Sequence, residues 1–168
     1  MDYFNQSTDR LIFRKLTEAD IVSWTEFFIN NDRLDYMGFL DKTKDSYTIS
    51  QEWVSMQLER YETCGLGHLA VIEKASGKFI GMGGIIPRIL FDQNEFEIAY
   101  SLKPPFWWKG FGTEIAMQLK KFGFENKISD HFISIIHIDN TDSIHVAQKN
   151  GMEILQKMEY NHMPVFVF

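Results

Sequence analysis

The chain has 168 residues, 45% hydrophobic and 24% charged, with a formal net charge of -6; this excludes a disordered segment and predicts one domain, residues 1–168, with a buried core. The acidic balance argues against a nucleic-acid partner, and no apolar run nears the roughly 18–20 residues of a membrane span, which argues against a membrane one. One cysteine, Cys64, permits no internal disulfide, and with no secretory pattern in "MDYFNQSTDRL" a cytoplasmic protein is expected.

"LIFRKL" (11–16) alternates as a first strand, and Thr17 with Asp20 resembles a helix cap before "EADIVSWTEFFIN", where Ile21, Trp24 and Phe28 recur at helical spacing. The loop 31–47 is polar with an apolar lip, and a second helix is predicted over about 49–62. "HLAVIEK" and "KFIGMGGIIPRI" flank "ASG" as a hairpin, and "FEIAYSL" is the next strand. It runs into "KPPFWWKGFG", after which Ile115, Ala116, Leu119, Phe122 and Gly123 form a helical stripe. "FISIIHI" (132–138) reads as a strand covered on both faces. A short helix, "DSIHVAQKN", stops at Gly151, and "MEILQKM" and "MPVFVF" close the chain around the turn "EYNH". The order β-α-α-β-β-β-α-β-α-β-β predicts an α/β (α+β) fold: a mixed, mostly antiparallel sheet of about seven strands with helices on both faces.

The segment that carries chemistry is "WWKGFGTEI" (107–115). Glycines ahead of a helix let backbone N–H groups close on an anion, where a Cβ would obstruct and the helix dipole assists. A P-loop would need Gly-Lys-Ser/Thr, but Gly112 is followed by Thr113 and Glu114. A dinucleotide fingerprint would need a third glycine where Ile115 stands, in a turn directly after the strand. An anion loop of another kind and a plain helix-initiating turn both remain open on spacing alone.

Taken with "FEIAYSLKPPF" upstream and "IHIDNTDSIHVAQKNGM" downstream, the loop resembles the Gln/Arg-x-x-Gly-x-Gly/Ala signature of the GNAT N-acetyltransferases. The resemblance runs from "DRLIFRKLTEADI" to the closing strands and is nearest the branch that includes the ribosomal-protein N-terminal acetyltransferases. Trp107 replaces the usual polar first residue. The resemblance implies the GNAT fold and acetyl-CoA as cosubstrate, without a metal. It places the pyrophosphate on the loop of Trp107, Trp108, Lys109, Gly110, Phe111, Gly112 and Thr113. The pantetheine would lie along Ile98, Ala99, Tyr100, Ser101 and Leu102, with an N–H near Tyr100 or Ser101 polarising the thioester carbonyl. Asn140 matches the asparagine that contacts the pantetheine arm. Ser143 matches a serine that protonates the departing thiolate; near a helix start it equally fits a cap. The tyrosine acid of the wider superfamily is replaced by Ala147.

Glu97 shares a strand face with Glu95, Ala99 and Ser101, so it is either a solvated strand residue or the general base for the acceptor amine. The acceptor side is expected to include Tyr36, Phe39 and Tyr160. Cys64 and His68 do not make a nucleophile pair, because "GLG" between them is no helix, and the remaining histidines have no metal spacing. The reading is an acetyl-CoA-dependent N-acetyltransferase acting on a primary amine, either a protein N-terminus or a small amine such as a polyamine, by direct attack in a ternary complex. The alternative is a coenzyme A-binding sensor of the same fold. "MPVFVF" offers a strand for pairing in a homodimer.

Overall fold

The computed structural model describes residues 2–38 and 40–168; Phe39, expected on the acceptor side, lies outside the described residues. Five strands form one antiparallel sheet in chain order: β1 (Asn5–Ser7), β2 (Leu11–Arg14), β3 (Gly67–Glu73), β4 (Phe79–Leu90) and β5 (Gln93–Leu102). β1 was not predicted; it pairs with β2 over three residues only. The β4–β5 hairpin is the longest ladder, running from Leu90 opposite Gln93 to Gly81 opposite Leu102. Its two-residue turn places Phe91 and Asp92 at φ of 52° and 59°, the left-handed pair that matches the twist of the flanking strands.

Three further strands, β6 (Ile135–His137), β7 (Gln156–Tyr160) and β8 (Met163–Val167), form a second antiparallel sheet in the order β6-β8-β7. The predicted strand 132–138 thus keeps three residues in its ladder. Its start is used differently: Ile133 makes a parallel bridge to Glu97, which joins the two sheets. β8 lies between β6 and β7, so both its edges are taken and it cannot pair across a dimer interface as the sequence suggested. "MEILQKM" enters its ladder only at Gln156, and "EYNH" contributes Tyr160 to β7, leaving Asn161 and His162 as the turn.

Helices cover both faces. A short helix α1 (Asp20–Trp24), continued by a 3-10 turn over Thr25–Phe28, packs with α2 (Ser46–Cys64) on one face. α2 starts three residues earlier than predicted because Asp45 caps it, accepting the Thr48 N–H at 2.9 Å. Trp24, Phe27 and Trp53 form the aromatic centre of this layer, with Trp24 stacked on Phe27 at 4.7 Å and edge-on to Trp53 at 5.3 Å. α3 (Phe111–Glu125) covers the opposite face. A Cβ on Gly83 would overlap the Ile115 side chain, so the bare strand at that point is what lets α3 lie close to β4. α4 (Thr141–Lys149) ends in a Schellman motif: Gly151 N–H bonds Gln148 O at 2.9 Å and Met152 N–H bonds Ala147 O at 3.0 Å. Gly151 sits at φ +72° there, the C′ role predicted for it. Among the described residues no helix is long and apolar enough to cross a membrane.

Candidate active site

The two sheets touch and then part. The Ile98 N–H donates to Ile133 O at 2.8 Å, and the Ile133 N–H donates to Phe96 O at 3.0 Å. The buried Ser134 hydroxyl adds a bond to Ile98 O at 2.9 Å. Beyond this point β6 pairs only with β8 among the described residues. By the two-residue strand period, the N–H groups of Tyr100 and Leu102 face the same open edge as that of Ile98. Lys103 N–H bonds Ile80 O at 2.9 Å, which places the N–H of Ser101, two residues earlier, toward β4. Of the two oxyanion donors named from sequence, the backbone therefore leaves Tyr100 free. The opening is a cleft of about 780 Å³.

The cleft is bounded on one side by the glycine loop. Gly110 is the N-cap of α3 at φ 79°, with no side-chain cap on the helix. The first-turn N–H groups, those of Phe111, Gly112 and Thr113, therefore lack the intrahelical partners that later turns have. Gly110, Phe111, Gly112 and Thr113 all line the cleft. A Cβ on Gly112 would lie 3.3 Å from the Tyr100 ring, so the loop is pressed against the strand that precedes it. Glu114 would place a negative charge in this first turn, but it is tied away. It accepts from Thr8 Oγ1 at 2.5 Å and pairs with Arg10 at 2.6 Å. Burial opposes the Glu114 charge, but Thr8 and Arg10 outweigh it and hold the carboxyl below its usual range. Arg10 also donates to Lys109 O at 3.0 Å, bracing the loop from outside. Lys109 itself is exposed and does not line the cleft.

The tryptophans differ in role. Trp107 is half-buried and donates to Leu102 O at 2.7 Å, closing the strand end. Trp108 is 78% exposed at φ 58°. Its indole donates to Asp142 on α4 at 3.1 Å, and Arg33 stacks over both indoles while pairing with Asp142 at 2.5 Å. The loop after α1, the glycine loop and α4 are thus clasped together.

Asn140 caps α4, its side chain accepting the Ser143 N–H at 3.2 Å. The cap reading for Ser143 is corrected: it is the third residue of the helix, in the first turn, and its N–H is the one that Asn140 caps. Burial pushes the Tyr100 phenol up to about 12, with Ser143 drawing it slightly back. The Tyr100 hydroxyl is buried near Ser143 but has no partner within hydrogen-bond distance among the described residues. Sequence reasoning used only the backbone of Tyr100 and missed this group; period-two alternation alone could have turned it toward α3 and α4.

On the opposite face of β5, Glu97 is not a solvated strand residue, the first of the two alternatives its sequence left open. Its side chain is 9% exposed and accepts from Arg88 Nε at 2.7 Å. Burial works against the Arg88 charge, but Glu97 outweighs it and firms the guanidinium in its protonated form. Around this pair lie Gln57 and Arg60 from α2, His68 from β3 and Tyr160 from β7, all on the cleft. Tyr36, also on the cleft, stacks on His137 at 4.8 Å. Ile98 to Leu102, Trp107, Trp108, Asn140, Ser143 and Tyr160 meet in the same cleft. Arg60, Arg88 and His68 were missed; an arginine following the apolar run "FIGMGGIIP" was the one visible signal. Cys64 is exposed at the end of α2, apart from buried His68.

Residues 10–153 match the family described as "Acetyltransferase (GNAT) domain". The protein YkkB of Bacillus subtilis (strain 168) is 26% identical over 161 residues, covering 96% of this chain and 92% of that protein. Among solved structures, the ribosomal-protein-S5-alanine acetyltransferase from Vibrio fischeri matches with a TM-score of 0.76 at 13% identity, over 97% of this chain and 93% of that one. The microcin C7 self-immunity acetyltransferase MccE, in complex with acetyl-CoA and AMP, matches with a TM-score of 0.73 at 17% identity, over 95% and 89%. At these identities the solved structures bear on the fold; the family match, spanning most of the sequence, goes further, and this chain belongs to the GNAT acetyltransferase family and is an acetyltransferase.

Proposed function

We propose that the chain transfers the acetyl group of acetyl-CoA to a primary amine by direct attack in a ternary complex. The observation that carries this is the cleft itself, with uncapped helix N–H groups on one side and a buried carboxylate on the other. The residues fit the cosubstrate: Gly110 at positive φ leaves the loop bare, and Glu114 is neutralised by Arg10. The pyrophosphate would rest on the N–H groups from Trp108 to Thr113, and the pantetheine along Ile98 to Leu102 beside Asn140. Bound acetyl-CoA supplies an activated acetyl group. The Tyr100 N–H would polarise its carbonyl, since that donor faces the open strand edge.

Glu97 takes the ammonium proton, directly or through a water, with Arg88 fixing its position. The amine nitrogen then bonds to the acetyl carbon, the carbon–sulfur bond breaks with its electron pair staying on sulfur, and the extra proton left on the nitrogen passes to the departing thiolate, directly or through a water. On the other side, Tyr100 and Ser143 face the place of the departing sulfur. An ordinary thiol titrates near 8.5. A phenol that burial has pushed up to about 12 is a far weaker acid than that thiol, so Tyr100 acts by hydrogen bonding rather than by full transfer. Tyr36 and Tyr160 line the acceptor side.

The test is thiol release from acetyl-CoA against panels of small amines and peptides, with thermal unfolding alongside. At 100 times its dissociation constant, acetyl-CoA is expected to stabilise the fold by about 2.7 kcal/mol. A shift without turnover of any amine would favour the coenzyme A sensor instead; no shift would remove the cosubstrate.

Arg10→Ala probes the loop. It leaves Glu114 unneutralised in the first turn of α3, so the dissociation constant for acetyl-CoA is expected to rise about tenfold, most clearly at low salt. Arg10 is half-exposed, so the stability loss should stay within about 1 kcal/mol. Unchanged affinity in calorimetry would mean that the Arg10–Glu114 pair serves only the fold.

A further inference from the structure

The acceptor end of the cleft contains a charge with no counter-charge. Glu97 is matched by Arg88 at 2.7 Å, and further out Glu52 by Lys44 at 2.6 Å and Asp142 by Arg33 at 2.5 Å. Arg60 has no such partner: among the described residues no carboxylate lies within ion-pair distance of it. Its hydrogen bond is to a neutral amide, Nη1 to Gln57 Oε1 at 3.2 Å. The side chain is half-buried on the wall of the cleft, so water screens the charge only in part. Burial and then the neighbouring Arg88 charge make this guanidinium less firmly protonated than usual, yet an arginine stays cationic.

Beside it is a second unsatisfied group. The Trp53 indole, which can only donate, bonds His68 Nδ1 at 3.4 Å. In the neutral ring this leaves the proton on Nε2. Burial first, and the charges of Arg60 and Arg88 next, hold His68 down at about 3, so the ring is neutral. Nε2 is buried with no hydrogen-bond partner among the described residues. An N–H donor and an unpaired guanidinium thus line the same end of one cleft. A buried donor left without an acceptor is a cost that a bound ligand would relieve.

Resting on the acetyltransferase reading, we infer that the acceptor carries a carboxylate close to its reacting amine, received by Arg60 and the Nε2–H of His68. A carboxylate has two oxygens for these two donors, and its single charge matches the one guanidinium here without a direct ion pair; Asp41, also on the cleft, acts on Lys44 instead. A phosphate monoester, at about −1.5 to −2, would overcompensate it. A polyamine would bring a second ammonium toward Arg60 and Arg88, and like charges in a part-buried site repel. The carboxylate can be that of a free amino acid or the side chain of an acidic residue near a peptide N-terminus.

The experiment compares matched acceptors in acetyl-CoA turnover. One arm sets L-phenylalanine and L-methionine against their decarboxylated amines. A second sets tripeptides with Asp at the second position against the same peptides with Asn, and spermidine is the third. The carboxylate members of the first or second arm should have kcat/KM about 10- to 100-fold above their neutral partners, and the responding arm identifies the source. Arg60→Gln should collapse that ratio toward one, and Arg60→Lys should restore part of it. A preference for spermidine, or a ratio unmoved by Arg60→Gln, would overturn the inference while leaving acetyl transfer standing. A binding arm separates the two readings further. With coenzyme A present, N-acetyl-L-phenylalanine, N-acetyl-L-methionine and the N-acetylated Asp tripeptides should as a group raise the melting temperature of the wild type and not of Arg60→Gln. If none of them does so, the carboxylate site is wrong whether or not turnover is seen.

Discussion

Gly110→Asp is expected to weaken acetyl-CoA binding by about 100-fold or more, while Gly110→Asn loses less than about tenfold. The pair separates charge from shape. Gly110 sits in the left-handed region at φ 79°, which asparagine and aspartate tolerate better than other side chains. A Cβ there would meet nothing closer than Arg10 Nη2 at 3.5 Å, an ordinary contact, so neither variant should disturb packing. The new carboxylate would compete with Glu114 for Arg10 and leave one uncompensated negative charge at the end of α3. A unit charge about 5 Å from a phosphate costs about 3 kcal/mol at an effective dielectric near 20. The amide variant carries only the backbone strain. Titration calorimetry with acetyl-CoA gives both dissociation constants, and thermal unfolding checks the fold. Wild-type affinity in Gly110→Asp would show that the anion does not bind at this loop.

That loop was legible because its chemistry is local. A bare, left-handed residue before a helix is written in the sequence as glycine, and the period of two in "FEIAYSL" put Glu97, Ala99 and Ser101 on one face. What surrounds Glu97 is non-local and was not legible. Arg88 reaches it diagonally across the β4–β5 hairpin, where Arg88 stands opposite Glu95 and Ile86 opposite Glu97. The turn that sets this register is Phe91-Asp92, with neither glycine nor asparagine to announce it. The Arg60 and His68 groups come from α2 and β3, and only the packing of α2 on the sheet brings them together. Ser143 fitted a cap from its place near a helix start, and Asn140 was read only as a pantetheine contact. Asn140 took the role because it stands three residues ahead of the N–H that needs an acceptor. The position of β8 between β6 and β7 likewise depends on where the chain returns, which no local pattern records.

Glu97→Gln is expected to lower kcat by about 10²–10⁴-fold at neutral pH, the usual worth of a positioned general base. An alkyl amine is mostly protonated there, so the attacking lone pair must be freed within the complex. Glu97 stands on the face of β5 opposite Tyr100, just before the point where the strand edge, still bonded to Ile133 at Ile98, opens toward Tyr100, and its side chain is almost wholly buried. The Arg88 hydrogen bond at 2.7 Å holds it in place. The amide variant leaves Arg88 without its partner. Arg88 is 29% exposed, so water takes up part of that charge, and the stability loss should be about 1–2 kcal/mol rather than the full cost of a buried orphan. That is a fall of several degrees in melting temperature, and kinetics measured well below it report chemistry. Acetyl-CoA affinity should hold, because the α3 N–H groups and the Tyr100 N–H are untouched. The deficit should shrink as pH rises, since free amine then becomes abundant without a base; a merely structural role would give a deficit independent of pH. With chemistry shown to be rate-limiting by single-turnover measurement, a wild-type kcat in Glu97→Gln would remove it as the base. The Arg88–Glu97 pair would then be the wall of the acceptor cleft, and water would carry the proton.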